Sequence, residues 1–156
     1  MPNKLSSQRG QSIIEVLIAT LVVGLVMVAI AAVLTMSVKN TAEGRYRNVA
    51  TSEGQQVLEI FRRERVRLGW SAFQTALIGG EYCLNSLPAA DDELADTLAQ
   101  NIGVCEESYE LGGTAFTRDV LVQKTADEVV VVVTVGWLDG DQPREVVLEQ
   151  EFREYQ

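Results

Sequence analysis

From Val16 to Val38 the chain carries no charged residue, a run of 23 positions that is apolar on every side rather than along one stripe. About 20 apolar residues in a helix rising 1.5 Å per residue cross a bilayer, so this run predicts a membrane-length helix. The pattern then changes without a turn. "KNTAEGRYRNVATSEGQQVLEIFRRERVRLGW" contains no proline, and Val38, Ala42, Tyr46, Val49, Val57, Ile60, Phe61 and Leu68 recur at helical spacing. One helix is therefore expected from about Ser12 to Leu68, ending near Gly69. Its first half is apolar all round and its second half has one face for a sheet. Gly44 and Gly54 weaken it locally, each by about 1 kcal/mol relative to alanine.

Between Gly69 and Gly113 the periodicity is lost, with punctuation at Gly79-Gly80, Pro88 and Gly112-Gly113. A short helix is expected over Asp91–Gln100, with Leu94 and Leu98 inward and Gly103 just past its end. From Phe116 the period becomes two. "FTRDVLVQK", "EVVVVVTVGW" and "REVVLEQEF" are β-branched and aromatic runs separated by "TAD" and "LDGDQP", which predicts an antiparallel meander. Val129 to Val135 is apolar on both faces, as a central strand covered by the helix should be, and Val146, Leu148 and Phe152 share a face. The expected fold class is α+β: a long N-terminal helix packed on a C-terminal antiparallel meander of three to four strands.

Composition narrows the chemistry. The chain has 156 residues, 13 Lys+Arg against 22 Asp+Glu, and a net charge of −9. A non-specific nucleic-acid binder must supply cations to displace phosphate counterions, so no nucleic-acid partner is expected. The stretch "FRRERVR" brings Arg62, Arg63, Arg65 and Arg67 together, but at spacings that let Glu59 and Glu64 pair with them along a solvated helical face. In an assembly, the same arginines are also placed to meet the acidic surface of a neighbouring subunit. There is no histidine, which removes the commonest general base and most catalytic zinc sites. Asp91, Asp92, Glu93 and Asp96 lack the ligand order of an EF-hand and fit the first turn of a helix. Asp139 and Asp141 fit a hairpin turn. No nucleophile, base and oxyanion set emerges, so the chain is not expected to be an enzyme or to hold a metal or cofactor.

Cys83 and Cys105 both follow the apolar run. On the oxidising side of a membrane such a pair forms one disulfide; in the cytosol it remains two buried thiols. CxxC spacing is absent. Lys4, Arg9 and the amino terminus nearly balance Lys39, Arg45 and Arg47, so charge bias leaves orientation close to a tie. The cysteine pair favours the C-terminal part outside.

One residue breaks the apolar pattern. "RGQSIIEVLIATLVVG" carries an acid, Glu15, three residues into its greasy part. A charge at the centre of a bilayer helix costs about 2.5–3.5 kcal/mol, so such a residue calls for a partner. A secretory signal cut after Ala29-Ile30-Ala31 leaves Glu15 unexplained, and a plain signal anchor is a second reading. A leader cut at Gly10–Gln11 frees an amine one helical turn from the acid.

The same residues resemble the class III signal of type IV prepilins and pseudopilins, in which a short basic leader ends in glycine and a glutamate lies five residues into the mature chain. Gly10 matches the residue before the cut and Glu15 matches the glutamate. Gln11 departs from the usual phenylalanine, and Ala32 lies where many pilins have a helix-breaking proline. The motif covers about the first 40 residues. The later order of long helix, loop and meander is also that of pilins, and the Val-rich strand ending in tryptophan, Asp-Gly turn and return strand resemble minor pilins.

The resemblance implies cleavage after Gly10 by prepilin peptidase, methylation of the new Gln11 amine, and an assembly role for Glu15. It divides the chain into a leader (1–10), a transmembrane and filament-core helix (11–38), the amphipathic half of that helix (39–69) and a globular head (70–156). The implied function is a minor pilin of a type IV pilus, with a pseudopilin of a type II secretion or DNA-uptake machine as the near alternative. The implied partners are the peptidase, other pilin subunits, an inner-membrane assembly platform and, before assembly, membrane lipid. The implied location is the cytoplasmic membrane, then a surface pilus or periplasmic pseudopilus. From the residues alone, a membrane-tethered extracytoplasmic ligand-binding domain stays open as a different class.

Overall fold

A computed structural model of the chain describes residues 9–89 and 92–154. The expected leader, up to residue 8, and Asp91 of the short acidic helix lie outside the described residues. The described chain falls into two units, one ending at Ala42 and one beginning at Glu43.

The first unit is helix. Helix α1 spans Arg9–Leu68, beginning three residues before the expected Ser12, so that the Gly10–Gln11 bond lies within its first turn. The large apolar side chains of the first unit are exposed among the described residues, from 50% at Ile30 to 70% at Val38. The helix is long and apolar enough to cross a membrane. Its threonines suit such a setting: Thr20 and Thr35 donate to the carbonyls of Leu17 and Ala31 at 3.0 and 2.9 Å. Hydroxyls satisfied inside the helix leave nothing unpaired at those positions for a hydrocarbon medium to penalise.

The second unit builds a helix-on-sheet layer. After Leu68 the chain passes Gly69, whose φ of 74° is accessible to glycine at little cost, and resumes as α2, Trp70–Ala76. Then follow β1 (Gly80–Cys83), α3 (Leu94–Gln100), β2 (Tyr109–Leu111), β3 (Thr114–Lys124), β4 (Glu128–Asp139) and β5 (Gln142–Arg153). The sheet is antiparallel throughout, in the order β1-β3-β4-β5, with β2 also pairing β3. The expected meander is thus β3-β4-β5, and two short strands extend the sheet to five. Gly112 and Gly113, with φ of 63° and 83°, form the two-residue turn between β2 and β3 that needs positive φ at both positions.

Strand parity decides the core. Val129, Val131, Val133, Val135 and Trp137 of β4 face α1 and are buried, alongside Phe116, Val120 and Val122 of β3. From α1 they meet the buried Ala50, Val57 and Phe61 of a stripe at helical spacing. Phe73 of α2 packs on Phe152 of β5 with ring centroids 5.6 Å apart. Gly54 is no mere weak point in α1: a Cβ there would stand 2.6 Å from Cδ1 of Leu148, so its absence lets helix and sheet approach. One edge of the sheet is β5, whose exposed Glu145, Glu149 and Glu151 and early Pro143 discourage indiscriminate strand pairing.

Candidate functional site

Glu15 sits in the second turn of α1, flanked by Ile13, Ile14, Val16 and Leu17, each about 60% exposed. Among the described residues it makes no hydrogen bond or ion pair. It is also the only ionisable residue between Arg9 and Lys39. The backbone of Gly10 and Gln11 is helical, which places Gln11 one turn before Glu15. A helix beginning at Gln11 would add its unsatisfied N–H groups to a new terminal amine, and both favour a nearby carboxylate.

Cys83 and Cys105 form a disulfide. The bond fastens the end of β1 to the loop before β2, and polar contacts reinforce it. The Asn85 amide donates to the Glu107 carbonyl at 2.6 Å and accepts from the Arg118 N–H at 3.0 Å, while Asp119 accepts from the Cys105 N–H at 2.6 Å. Closing a loop of this length contributes about 3 kcal/mol, mainly by restricting the unfolded chain. The paired change Cys83→Ser/Cys105→Ser is expected to lower the stability of the second unit by about that amount. A shifted midpoint in guanidinium for the full chain in detergent would record it; an unchanged midpoint would show that the loop is held by its polar contacts alone.

A buried charge cluster escaped the sequence reading. Arg118, 2% exposed, lies on the inward face of β3 and pairs with Glu53 of α1 at 2.9 Å. Tyr109 of β2 donates its hydroxyl to the same carboxylate at 3.1 Å, and the guanidinium lies over its ring, 4.8 Å from the centroid. Burial raises the Tyr109 phenol above its ordinary range. The parity of each position is the one signal that marks the two partners. Arg118 falls between Phe116 and Val120 in the alternation, and Glu53 falls between Ala50 and Val57 on the helix stripe. Nε and Nη1 of Arg118 have no hydrogen-bond partner among the described residues, so Glu53 carries most of the compensation.

The arginine stretch divides. Arg62 pairs with Glu59 and donates to Gln150 at 3.1 Å, Arg67 pairs with Glu64 at 2.6 Å, and Arg65 donates to the Arg153 carbonyl. An open hollow runs along α1 between Ser52 and Arg63, where Leu87, Pro88, Leu148 and Gln150 also line it, and it is not an enclosed pocket. Asp92, Glu93 and Asp96 line a smaller hollow with Ser86 and Thr97, but no group of three potential ligands is placed to hold a metal among the described residues. Asp139 ends β4 and Asp141 lies in the turn to β5. Compared with family models, curated proteins and solved structures, the chain matches none.

Proposed function

We propose that this chain is a structural subunit of a type IV pilus or related filament, most like a minor pilin. It would be stored in the cytoplasmic membrane with its second unit outside and assembled through the first half of α1. The observation that carries this reading is a lone carboxylate, Glu15, one turn from Gln11 in an otherwise apolar helical segment whose side chains are exposed among the described residues. Bilayer lipid can cover such a helix, but it offers Glu15 no counter-charge. Cleavage after Gly10 supplies one as an amine, and a neighbouring copy can supply another inside a bundle of packed helices. The disulfide supports an outward second unit, because such bonds persist in oxidising compartments.

Prepilin peptidase, sister subunits and an assembly platform are the partners this reading requires. The test is the intact mass of the mature chain, followed by fragmentation of its first peptide. The expected result is a start at Gln11 carrying one methyl group. A retained Met1 would favour a tethered domain whose helix is an anchor only, and a start at Ala32 would favour a secreted one. Either would reject the filament reading.

A further inference from the structure

The run Val129–Val135 is apolar on both faces of β4, but α1 uses only one of them. The odd-numbered valines are buried in the core with Ala50, Val57 and Phe61. The even-numbered positions face the other way. There Val132 stands opposite Leu121 of β3, and Val147 of β5 stands opposite the adjacent Thr134. Leu121, Val130 and Val132 are half-buried, while Leu138 and Val147 are 60% and 53% exposed. An antiparallel sheet alternates apolar-in and polar-out when its outer face meets water, so this outer strip breaks the pattern.

Acids border the strip on both sides. Glu81 of β1 and Asp119 of β3 lie along one side, and Glu145, Glu149 and Glu151 of β5 along the other, all at outward positions of the register. Glu81, Glu145 and Glu149 make no ion pair among the described residues. The only cation at the outward positions of these strands is Arg153, which already pairs with Glu128 at 3.3 Å and Glu151 at 3.2 Å. Towards Leu138 the strip opens into a hollow of about 540 Å³, lined by Thr117, Thr134, Gly136, Pro143 and Glu145. Gly136 keeps it clear of a side chain, and a Cβ there would stand 2.9 Å from Oγ1 of Thr117.

We propose that this outer face docks an amphipathic helix of another protein, apolar along its centre and basic along both edges. The dimensions agree. Strands β3 to β5 span about 10 Å across, the width of one helix, and Val130 to Leu138 is about 27 Å long, the length of about 18 helical residues. The charge order agrees as well, because acids flank an apolar centre here and would meet cations that flank an apolar stripe there. Helix α1 of a second copy does not fit. Its amphipathic half has its stripe buried on its own sheet, and its apolar half has no basic edge. The docking goes beyond the filament reading and does not depend on it, since a tethered domain would present the same face.

The test uses the full chain in phosphatidylcholine nanodiscs and a labelled synthetic helix of leucine and lysine, about 18 residues long, with binding to empty discs subtracted. Exchanging its leucines for serine, or its lysines for glutamate, should weaken binding by about tenfold or more. Leu138→Ser/Val147→Ser in the chain should do the same, and Glu106→Gln/Glu107→Gln, away from the strip, should leave binding unchanged. Glu145→Lys/Glu149→Lys should lose the leucine–lysine helix and gain the leucine–glutamate one, a gain that an unfolded variant would not show. A photoreactive benzoyl-phenylalanine in place of Val147 should cross-link to the peptide. Equal binding of the serine–lysine peptide, insensitivity to the changes at 138 and 147, or no exchange of preference in the charge-reversed pair would overturn the docking. So would cross-links from position 147 to a second copy or to lipid in place of the peptide. The mature N-terminus is read separately, so a start at Gln11 without peptide binding removes the docking alone, and peptide binding on a chain that retains Met1 removes the filament reading alone.

Discussion

Glu15→Ala is expected to leave the chain inserted in the membrane and to remove it from filaments. The two effects have opposite signs for one physical reason. In a subunit stored in lipid, as proposed, the carboxylate would be a liability, worth up to about 2.5–3.5 kcal/mol if carried to the bilayer centre, so alanine would make insertion easier. In a packed bundle the balance reverses. If cleavage after Gly10 frees an amine at Gln11, as proposed, that amine stays in place, and deleting the acid leaves it buried without a counter-charge, at about 3–5 kcal/mol. At 1.4 kcal/mol per tenfold, this lowers subunit association by roughly two to three and a half orders of magnitude. Immunoblots of sheared filaments against membrane fractions should show loss from the first and retention in the second. Glu15→Gln separates charge from hydrogen bonding. If the amide supported normal assembly, pairing with the amine would not be what places Glu15 there. Normal filament yield from Glu15→Ala would reject the assembly role altogether.

The first unit was the more legible part of the sequence. A 23-residue apolar run without proline permits one solution, and only its first turn was misplaced. The second half of α1 was readable because its stripe is long enough for the 3.6-residue period to separate from the two-residue one. The elements that escaped are short. Helix α2 has seven residues and little periodicity of its own, and the packing of Phe73 on Phe152 holds it. Strands β1 and β2 have four and three residues, too few to register as alternation, and exist by pairing with β3. The short acidic helix begins at Leu94, after an extended Glu93, so the acids read as its first turn mostly precede it. Only Asp96 stands in that turn. In the candidate site, Glu15 was visible as a violation of pattern, and the Arg118–Glu53 pair was a violation of the same sort. The first was noticed because its surroundings are uniformly apolar. The second was hidden by the abundance of charge on both elements, where only the parity of each position distinguishes a core residue from a surface one.

Glu53→Ala is expected to be the most destabilising single change in the second unit. It removes the carboxylate that pairs with Arg118 among the described residues and leaves a guanidinium that is 2% exposed without its counter-charge. Stranding a buried charge in this way costs about 3–5 kcal/mol. At about 4 °C per kcal/mol for a domain of this size, the melting temperature should fall by about 12–20 °C. Replacing both partners with apolar residues, Glu53→Leu/Arg118→Met, is expected to be neutral or stabilising, since neither charge then has to be desolvated. A double change at least as damaging as Glu53→Ala would show that the cluster acts by shape, not by charge compensation. Tyr109 supplies an independent check at high pH. Its phenol titrates higher in the folded chain than in the unfolded one, so the folded state binds more protons once the unfolded tyrosine begins to ionise near pH 10. Stability from this group is fully present below that pH and is lost as pH rises through the folded value. Tyr109→Phe should therefore flatten the alkaline limb of the stability curve. An alkaline limb unchanged by Tyr109→Phe would mean that the phenol is not what titrates there. A chain that tied α1 to its sheet by apolar contact alone would show neither the asymmetry between single and double changes nor this alkaline sensitivity. Both are consequences of placing one ion pair and one phenol at the seam between helix and strand.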